Sequence, residues 1–315
     1  MKNTYGDSMR DSFVKTLIEI AKQDKTIELV TGDLGFGVLK PFWEQLPDQF
    51  TNAGIAEQNM TALAAGMAQE GKNVFTYSIG NFPTLRCLEQ IRNDCAYHQA
   101  NVKIVCVGGG FSYGPLGMSH QATEDIACMR ALPNVVVMSP GDAAEARICT
   151  QALAAYQGTA YLRLGRGGEK PIPGRIENYQ IGKARCVYEG ERIALFSTGA
   201  MYEEVQFAYE ILIEKGYHPA VYTFPTIKPI DRELIERVSR DFDLIVTCEE
   251  HNVIGGFGSA VAEIMACMKL KKASLACVGL PDAFASLVGD QTFLRNHYGM
   301  DGEAIAEKAL RTLNG

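Results

Sequence analysis

The chain has 315 residues, 47% of them hydrophobic and 21% charged, which is the composition of a globular protein long enough for two domains. Its formal net charge of -7 disfavours nucleic acid as a partner, because an acidic surface repels a phosphate backbone. No apolar run approaches the roughly 20 residues that span a bilayer, and no apolar signal core follows Lys2. Nine scattered cysteines are typical of reduced thiols, so we expect a cytoplasmic protein with no membrane partner.

Helix and strand patterns alternate along the first half of the chain. The first helix pattern runs from Phe13 to Ala21 and is capped by Asp7 or Ser8. The predicted strands that follow are 27–31, 73–78, 102–107, 135–138 and 160–164. The predicted helices between them are 56–69, 84–97, 123–131 and 143–156. Short β-rich runs separated by helices predict a parallel sheet that is covered by helices on both faces.

The alternation breaks between residues 165 and 182, where five glycines and two prolines interrupt the apolar pattern. It then restarts, with predicted strands at 193–197, 220–224, 244–248 and 274–278 and predicted helices at 201–215, 231–239, 259–269 and 302–313. The sequence therefore predicts two doubly wound α/β domains, residues 1–170 and 186–315, joined by a linker over 171–185.

Unusual residues follow three of the predicted strands, which is where ligands bind in sheets of this kind. Glu57 opens a predicted helix, a position at which the helix dipole alone also favours an anion. His120 ends a loop with five glycines in residues 108–117, which suits close approach of the backbone to a ligand. The predicted strand 160–164 contains Arg163 near its end and is followed by Arg166. The two arginines could hold a carboxylate or phosphate, or they could be solvated charges.

A further glycine run, residues 255–258, follows a predicted strand and opens a helix, as a phosphate-cradling loop does. A lone glycine motif of this kind does not identify a nucleotide site. No Walker-type Gly-Lys-Ser/Thr sequence accompanies it.

Five motifs in succession resemble the transketolase family, and more broadly the pyrimidine-binding and C-terminal domains of thiamine-diphosphate enzymes. They are residues 54–58 (GIAEQ), Arg86 with residues 89–94 (EQIRND), 119–127 (SHQATEDIA), 129–134 (MRALPN) and 249–256 (EEHNVIGG). The resemblance covers nearly the whole chain. It implies that residues 1–170 are a pyrimidine-binding domain and that residues 186–315 are a transketolase C-terminal domain.

One motif of full-length transketolases is missing. Their pyrophosphate-binding domain carries a Gly-Asp-Gly motif and a downstream asparagine for magnesium, whereas no Gly-Asp pair of this chain is followed by glycine. The resemblance therefore implies a split enzyme, active only with an N-terminal pyrophosphate-binding subunit in an α2β2 heterotetramer. The implied cofactor is thiamine diphosphate, with its Mg²⁺ held mainly by the partner, and we expect no metal site in this chain.

The resemblance also assigns roles to single residues. Glu57 corresponds to the catalytic glutamate that hydrogen-bonds the ring nitrogen of the cofactor's aminopyrimidine, and Ile55 belongs to the same cofactor-binding motif. Tyr77 and Phe82 are the candidate aromatic side chains that flank the pyrimidine. His120 corresponds to the active-site histidine that contacts the reacting substrate oxygens.

Substrate specificity is less closely matched. Arg166 corresponds to the arginine that anchors the substrate phosphate, but Gly108 and Leu116 stand where sugar-phosphate transketolases carry a histidine and an aspartate. Without that aspartate, a site reads the α-hydroxyl of an aldehyde poorly. The implied reaction is transfer of a two-carbon ketol unit from a ketose or ketose phosphate to an aldehyde or aldose, with the donor and acceptor left open.

Two other interpretations stay open at this point. The chain could be the β subunit of a 2-oxo acid dehydrogenase, or of a related decarboxylase or acyl transferase, since these share the domain pair and the glutamate. It could also be a non-catalytic structural subunit. The run Ser119-His120-Gln121 favours transketolase over the first, and the joint presence of Glu57, His120 and Arg166 disfavours the second.

Overall fold

Two sheets organise the chain in the computed structural model, which describes residues 8–176 and 179–314. The first sheet contains β1 (Ile27–Thr31), β2 (Phe50–Asn52), β3 (Asn73–Ile79), β4 (Val102–Val107), β5 (Val135–Met138), β6 (Thr159–Leu164) and β10 (Thr226–Lys228). The second sheet contains β7 (Arg185–Tyr188), β8 (Ile193–Ser197), β9 (Ala220–Thr223), β11 (Leu244–Asn252) and β12 (Ser274–Leu280). The α-helices are α1 (Met9–Gln23), α2 (Lys40–Gln45), α3 (Glu57–Gln69), α4 (Leu88–Gln90), α5 (Asp125–Ala131), α6 (Ala143–Ala155), α7 (Tyr202–Glu214), α8 (Arg232–Asp241), α9 (Phe257–Ala266), α10 (Gln291–His297) and α11 (Gly302–Asn314).

Both sheets are parallel apart from one strand each. The strand order of the first sheet is β10-β5-β6-β4-β3-β1-β2, with β10 antiparallel to β5. The order of the second is β12-β11-β8-β9-β7, with β7 antiparallel to β9. The predicted fold class, two α/β domains built on parallel sheets, is confirmed.

Helices cover both faces of the first sheet, and one of the two cores continues into the second domain. On one face α1 and α6 pack through residues such as Phe13 and Leu153. On the other face Met60 of α3 and Ile126 of α5 belong to a cluster that also contains Phe257 of the second domain. The two domains therefore share a continuous hydrophobic core.

The segment predicted as one helix over 84–97 is broken into three kinds of turn. A 3₁₀ turn (Leu85–Cys87) leads into α4 and then into a π-helical turn (Ile91–Ala96). The wider π-helical turn places Ile91, Cys95 and Ala96 together, and all three are buried. Such turns are common beside functional sites.

Two further features were outside the sequence prediction. The three-residue strand β10 belongs to the second half of the chain yet completes the first sheet. The predicted linker over 171–185 follows β6, and its described residues before Arg185 contain neither helix nor strand. Ile172 of this segment is buried. Its N–H donates to Asp142 of the first domain at 2.7 Å, while its side chain packs in the hydrophobic cluster of the second domain, so the segment contacts both.

Candidate functional site

Glu57 is the first residue of α3, and its side chain is only 4% exposed. The preceding loop turns at Gly54, whose φ of 75° is available to glycine at little cost. The helix dipole favours a carboxylate at this position, but a buried charge also needs a partner. Arg86 supplies it, with Nη1 2.7 Å from Glu57 Oε2.

Arg86 connects Glu57 to two other predicted site residues. Its guanidinium lies over the ring of Phe82, 4.6 Å from the centroid. The edge of that ring meets the imidazole of His120, with centroids 5.2 Å apart, and His120 Nδ1 lies 3.0 Å from Ser119 Oγ. Because β3 and β4 are neighbours, the loops after them bring Phe82 and His120 together. Glu57, Arg86, Phe82 and His120 form what we call the site wall.

Two buried acceptors at the site wall have no partner within the described residues. Asn81 donates its Nδ2 to the carbonyl of Gln121 at 2.8 Å, which ties the two loops of the wall together. The Oδ1 of Asn81 and the Oε1 of Gln121 are nevertheless buried without a hydrogen bond from the part of the chain that the structure describes. Since unpaired buried acceptors are costly, the wall is suited to receive donors from another molecule.

Tyr77 requires a correction. It lies in β3 with 1% of its surface exposed, and its ring stacks on Phe13 of α1 with centroids 6.0 Å apart. Burial raises the pKa of its hydroxyl well above the usual value. The ring is thus part of the core under α1 and does not reach the surface where a pyrimidine was expected. Ile55, by contrast, is 80% exposed beside Glu57.

Arg166 lies on the loop after β6, against the glycine-rich loop, and is not part of the site wall. It follows β6, the neighbour of β4, and its guanidinium carbon is 5.1 Å from the ring centroid of Tyr113. Tyr113 also explains the glycine at position 108, since a Cβ at Gly108 would lie 2.1 Å from its ring. Leu116 on the same loop is 56% exposed.

Arg163 is neither a ligand-holding nor a solvated arginine, the two roles that the sequence left open. It is 5% exposed, its Nε lies 2.8 Å from Asp125 Oδ2, and its Nη2 donates to the carbonyls of Ala122 at 2.7 Å and Glu250 at 2.9 Å. The contact with Glu250 joins the first domain to the second. We call this set the junction.

The glycine run at 255–258 holds an anion that belongs to the chain itself. Glu249 is fully buried and accepts the N–H groups of Phe257 at 2.5 Å and Gly258 at 2.7 Å. Burial raises its pKa to about 7. The position that a phosphate would take at this helix N-terminus is therefore filled, and the nucleotide interpretation is excluded here.

Residues 110–114 also have the spacing Gly-x-Ser-x-Gly of a hydrolase nucleophile elbow, a motif not singled out above. Ser112 Oγ donates to the carbonyl of Gly109 at 2.8 Å, and the loop continues into the short 3₁₀ turn Gly114–Leu116. An elbow needs a serine between a strand and a long helix. The spacing is coincidental.

Within residues 8–176 and 179–314, no group of three or more His, Cys, Asp or Glu side chains is arranged to hold a metal ion. None of the helices described is long and apolar enough to cross a membrane.

The role of Arg86 was missed at the sequence level. It was noted only as part of a motif, and its spacing from Glu57 carries no signal that the two side chains meet, because the approach depends on neighbouring strands. The junction residue Glu250 was missed for the same reason.

Two family descriptions match the chain: transketolase, pyrimidine binding domain, over residues 7–168, and transketolase, C-terminal domain, over residues 182–305. A protein of Methanocaldococcus jannaschii, provisionally named a transketolase C-terminal section, is 40% identical over 308 residues, 97% of this chain and 96% of that protein. A subunit of the apulose-4-phosphate transketolase of Phocaeicola vulgatus is 37% identical over 309 residues and 96% of each chain.

A solved structure described as a split gene transketolase, inactive beta4 tetramer, has a TM-score of 0.90 and 33% identity over 98% of this chain and 99% of that one. Transketolases generally use thiamine diphosphate. Both family descriptions and full-length relatives agree, and the chain therefore belongs to the transketolase family, as a subunit of the split type.

Proposed function

We propose that this chain, with a partner subunit, transfers a two-carbon ketol unit from a ketose or ketose phosphate to an aldehyde or aldose acceptor. The observation that carries the proposal is the site wall: a buried carboxylate at a helix N-terminus, joined through Arg86 to an aromatic ring and a histidine. A purely structural subunit has no need of this set.

The residues of the wall fit the aminopyrimidine end of thiamine diphosphate. When bound, this cofactor would supply a nucleophilic carbon for the donor carbonyl and a cationic thiazolium ring that takes up the electron pair of the broken C–C bond. Glu57 would hold the ring nitrogen of the aminopyrimidine by a hydrogen bond, since Arg86 fixes its carboxylate through Oε2. Ile55 and Phe82 would offer apolar contact to the ring, and the Asn81 and Gln121 oxygens offer acceptors.

His120 and Arg166 would bind the sugar substrate. His120 is held by Phe82 and Ser119 and would hydrogen-bond the reacting oxygens. Arg166 is exposed beside Tyr113 and would hold a phosphate or carboxylate tail. Because Gly108 has no room for a side chain and Leu116 is apolar, the acceptor side of the pocket lacks the polar groups that read an α-hydroxyl.

The partner that we propose is an N-terminal pyrophosphate-binding subunit, in an α2β2 assembly, which would hold the diphosphate and most of the Mg²⁺ coordination. The loops around the site support such an interface, because Phe36, Ile55, Leu116 and Met118 expose between 54% and 80% of their surface. Large exposed apolar side chains grouped in this way mark a surface that another protein covers.

The test is reconstitution of the chain with a candidate partner that carries Gly-Asp-Gly and a downstream asparagine. We expect ketol transfer only from the mixture, and tight Mg²⁺-dependent binding of thiamine diphosphate only by the complex. Tight binding by the isolated chain would contradict the divided site. Reductive acylation of a lipoyl domain, in place of ketol transfer, would favour the 2-oxo acid dehydrogenase interpretation.

A further inference from the structure

The glycine-rich loop that carries His120 is seated in the second domain. Phe111 of this loop is fully buried in the hydrophobic cluster of that domain, and its ring stacks on Tyr298 with centroids 5.7 Å apart. Its backbone N–H donates to Glu250 Oε1 at 2.5 Å. The loop is therefore held by one apolar contact and one charge-assisted hydrogen bond, both across the domain boundary.

At two points the backbone of the loop lies too close to the second domain to leave room for a side chain. A Cβ at Gly110, where φ is +61°, would lie 2.3 Å from Glu250 Oε1. A Cβ at Gly114 would lie 2.3 Å from the carbonyl oxygen of Gly289. Glycine at these positions lets the backbone of the loop lie directly against the second domain.

Contacts within the second domain fix the position of the Glu250 carboxylate independently of the loop. Its side chain is 3% exposed and pairs with Arg295 Nε, while Gln291 Nε2 donates to both carboxylate oxygens at 2.8 and 3.0 Å. Arg295 also contacts Glu204 at 3.3 Å, and its Nη2 donates to the carbonyl of Ala200 at 3.1 Å, so its position does not depend on Glu204 alone. A carboxylate with this many donors has one position, so it defines where Phe111 lies.

The constraint at Phe111 is transmitted to His120 through a closed loop. Gly110 and Ala122 exchange backbone hydrogen bonds of 2.8 and 3.1 Å, so both ends of the loop meet beside Glu250. His120 lies just inside this closure, against Phe82. A displacement of the base of the loop therefore moves His120, whereas Glu57 lies on a separate element, at the start of α3.

We propose that Glu250 is a positioning residue, which acts through Phe111 to set the place of His120 and hence the alignment of the acceptor. The inference rests on the proposed function, because that function assigns His120 to the substrate. The second domain thus takes part in substrate selection without touching the substrate.

The kinetic test compares Glu250→Gln with Glu204→Gln in the assembled enzyme. Glu204 is the matched control, since it shares Arg295 but does not contact the loop. We expect Glu250→Gln to raise the KM for the acceptor by about tenfold, a modest misplacement effect. The donor KM and the Kd of thiamine diphosphate should stay unchanged, and Glu204→Gln should leave all three unchanged. Equal changes in all three constants, or the same effect from Glu204→Gln, would overturn the inference.

Hydrogen exchange of the isolated chain gives a second reading that needs no activity. Glu250→Gln should speed exchange in the peptide 108–121 but not in the peptide 55–69. Gln291→Ala, at a partly buried position that spares the ion pair, should do the same. If exchange responds in this way but neither the wild type nor any variant transfers a ketol unit, the proposed function fails, and the role of Glu250 in holding the loop is retained. If transfer occurs but neither loop exchange nor acceptor KM responds, the positioning role fails.

Discussion

Two arginine–carboxylate ion pairs with nearly equal N···O distances have different roles in this molecule. In the site wall, Arg86 lies 2.7 Å from Glu57 and is 47% exposed. At the junction, Arg163 lies 2.8 Å from Asp125, and both side chains are almost completely buried. The N···O distance alone therefore does not distinguish an ion pair in a ligand site from one with a structural role. The open side of the first pair leaves room for a ligand. The second pair is closed to solvent, and it fixes the guanidinium that donates to the Glu250 carbonyl of the second domain.

The largest effect that we expect is on catalysis, from Glu57→Gln. In the assembled enzyme kcat should fall by about 10²–10⁴-fold, the usual contribution of a group that transfers or holds a proton. The fold should persist, because glutamine can still accept a hydrogen bond from Arg86. Glu70→Gln, at the exposed other end of α3, is the control. Retention of more than about a tenth of wild-type kcat would remove Glu57 from its assigned role.

The largest effect on stability should come from the junction. Arg163→Met leaves the Asp125 carboxylate buried with the Tyr161 hydroxyl but without its charged partner, so the free energy of unfolding should fall by about 3–5 kcal/mol. Arg166→Met, at an exposed position two residues after the same strand, should change the free energy of unfolding by less than about 0.5 kcal/mol. Urea denaturation of both variants checks the contrast. Equal small losses would mean that the junction pair contributes no more than a surface charge.

A pH-dependent effect of intermediate size is expected from His251. It is fully buried, its Nδ1 lies 2.6 Å from the carbonyl of Asn252, and its Nε2 accepts the N–H of Ala127 at 3.3 Å. Burial lowers its pKa from 6.5 to about 4. As pH falls from 6.5 towards 4, the unfolded chain takes up a proton that the folded chain refuses, so this histidine's contribution to stability is lost.

Comparison of wild type with His251→Gln isolates that contribution. The stability advantage of the wild type should be full above pH 6.5 and should narrow as the pH falls towards 4. Glu249, whose pKa is raised to about 7, acts in the opposite sense but is present in both proteins. Urea denaturation at several pH values measures the difference, and a constant difference would show that His251 titrates normally.

Of the two ion pairs, the one in the site wall should contribute less to the free energy of unfolding, and Arg86→Met tests it. Because Arg86 is half-exposed, its removal admits water to Glu57, and the cost should be about 1 kcal/mol or less. Arg92→Met, an exposed neighbour, is the control. A loss as large as that of Arg163→Met would show that the two pairs are equally sealed, and the comparison between them would fail.

The sequence predicted most of the scaffold because its signals are local. Strand β1 and the cap of α1 by Ser8, whose Oγ accepts the N–H of Asp11 at 3.1 Å, follow from patterns within a few residues. The sequence motifs also singled out Glu57, Phe82 and His120, which the structure brings together in the site wall.

What the sequence did not predict depends on contacts between distant residues or on orientation. Every residue of β3 up to Ser78 is buried, so alternation could not tell that Tyr77 points under α1. Glu250 and Phe111 are 139 residues apart, and no pattern links them. Arg86 meets Glu57 only because the loops after neighbouring strands converge.

Strand β10 couples the folding of the first domain to that of the second half of the chain. It comes from beyond the predicted linker, yet it pairs with β5 and covers that edge of the first sheet. A fragment that ended at residue 170 would leave the edge of β5 unpaired and one face of the shared core uncovered. Open strand edges and bare apolar faces promote aggregation. We therefore expect the first domain to aggregate when it is expressed alone, and the intact chain to unfold in one cooperative transition.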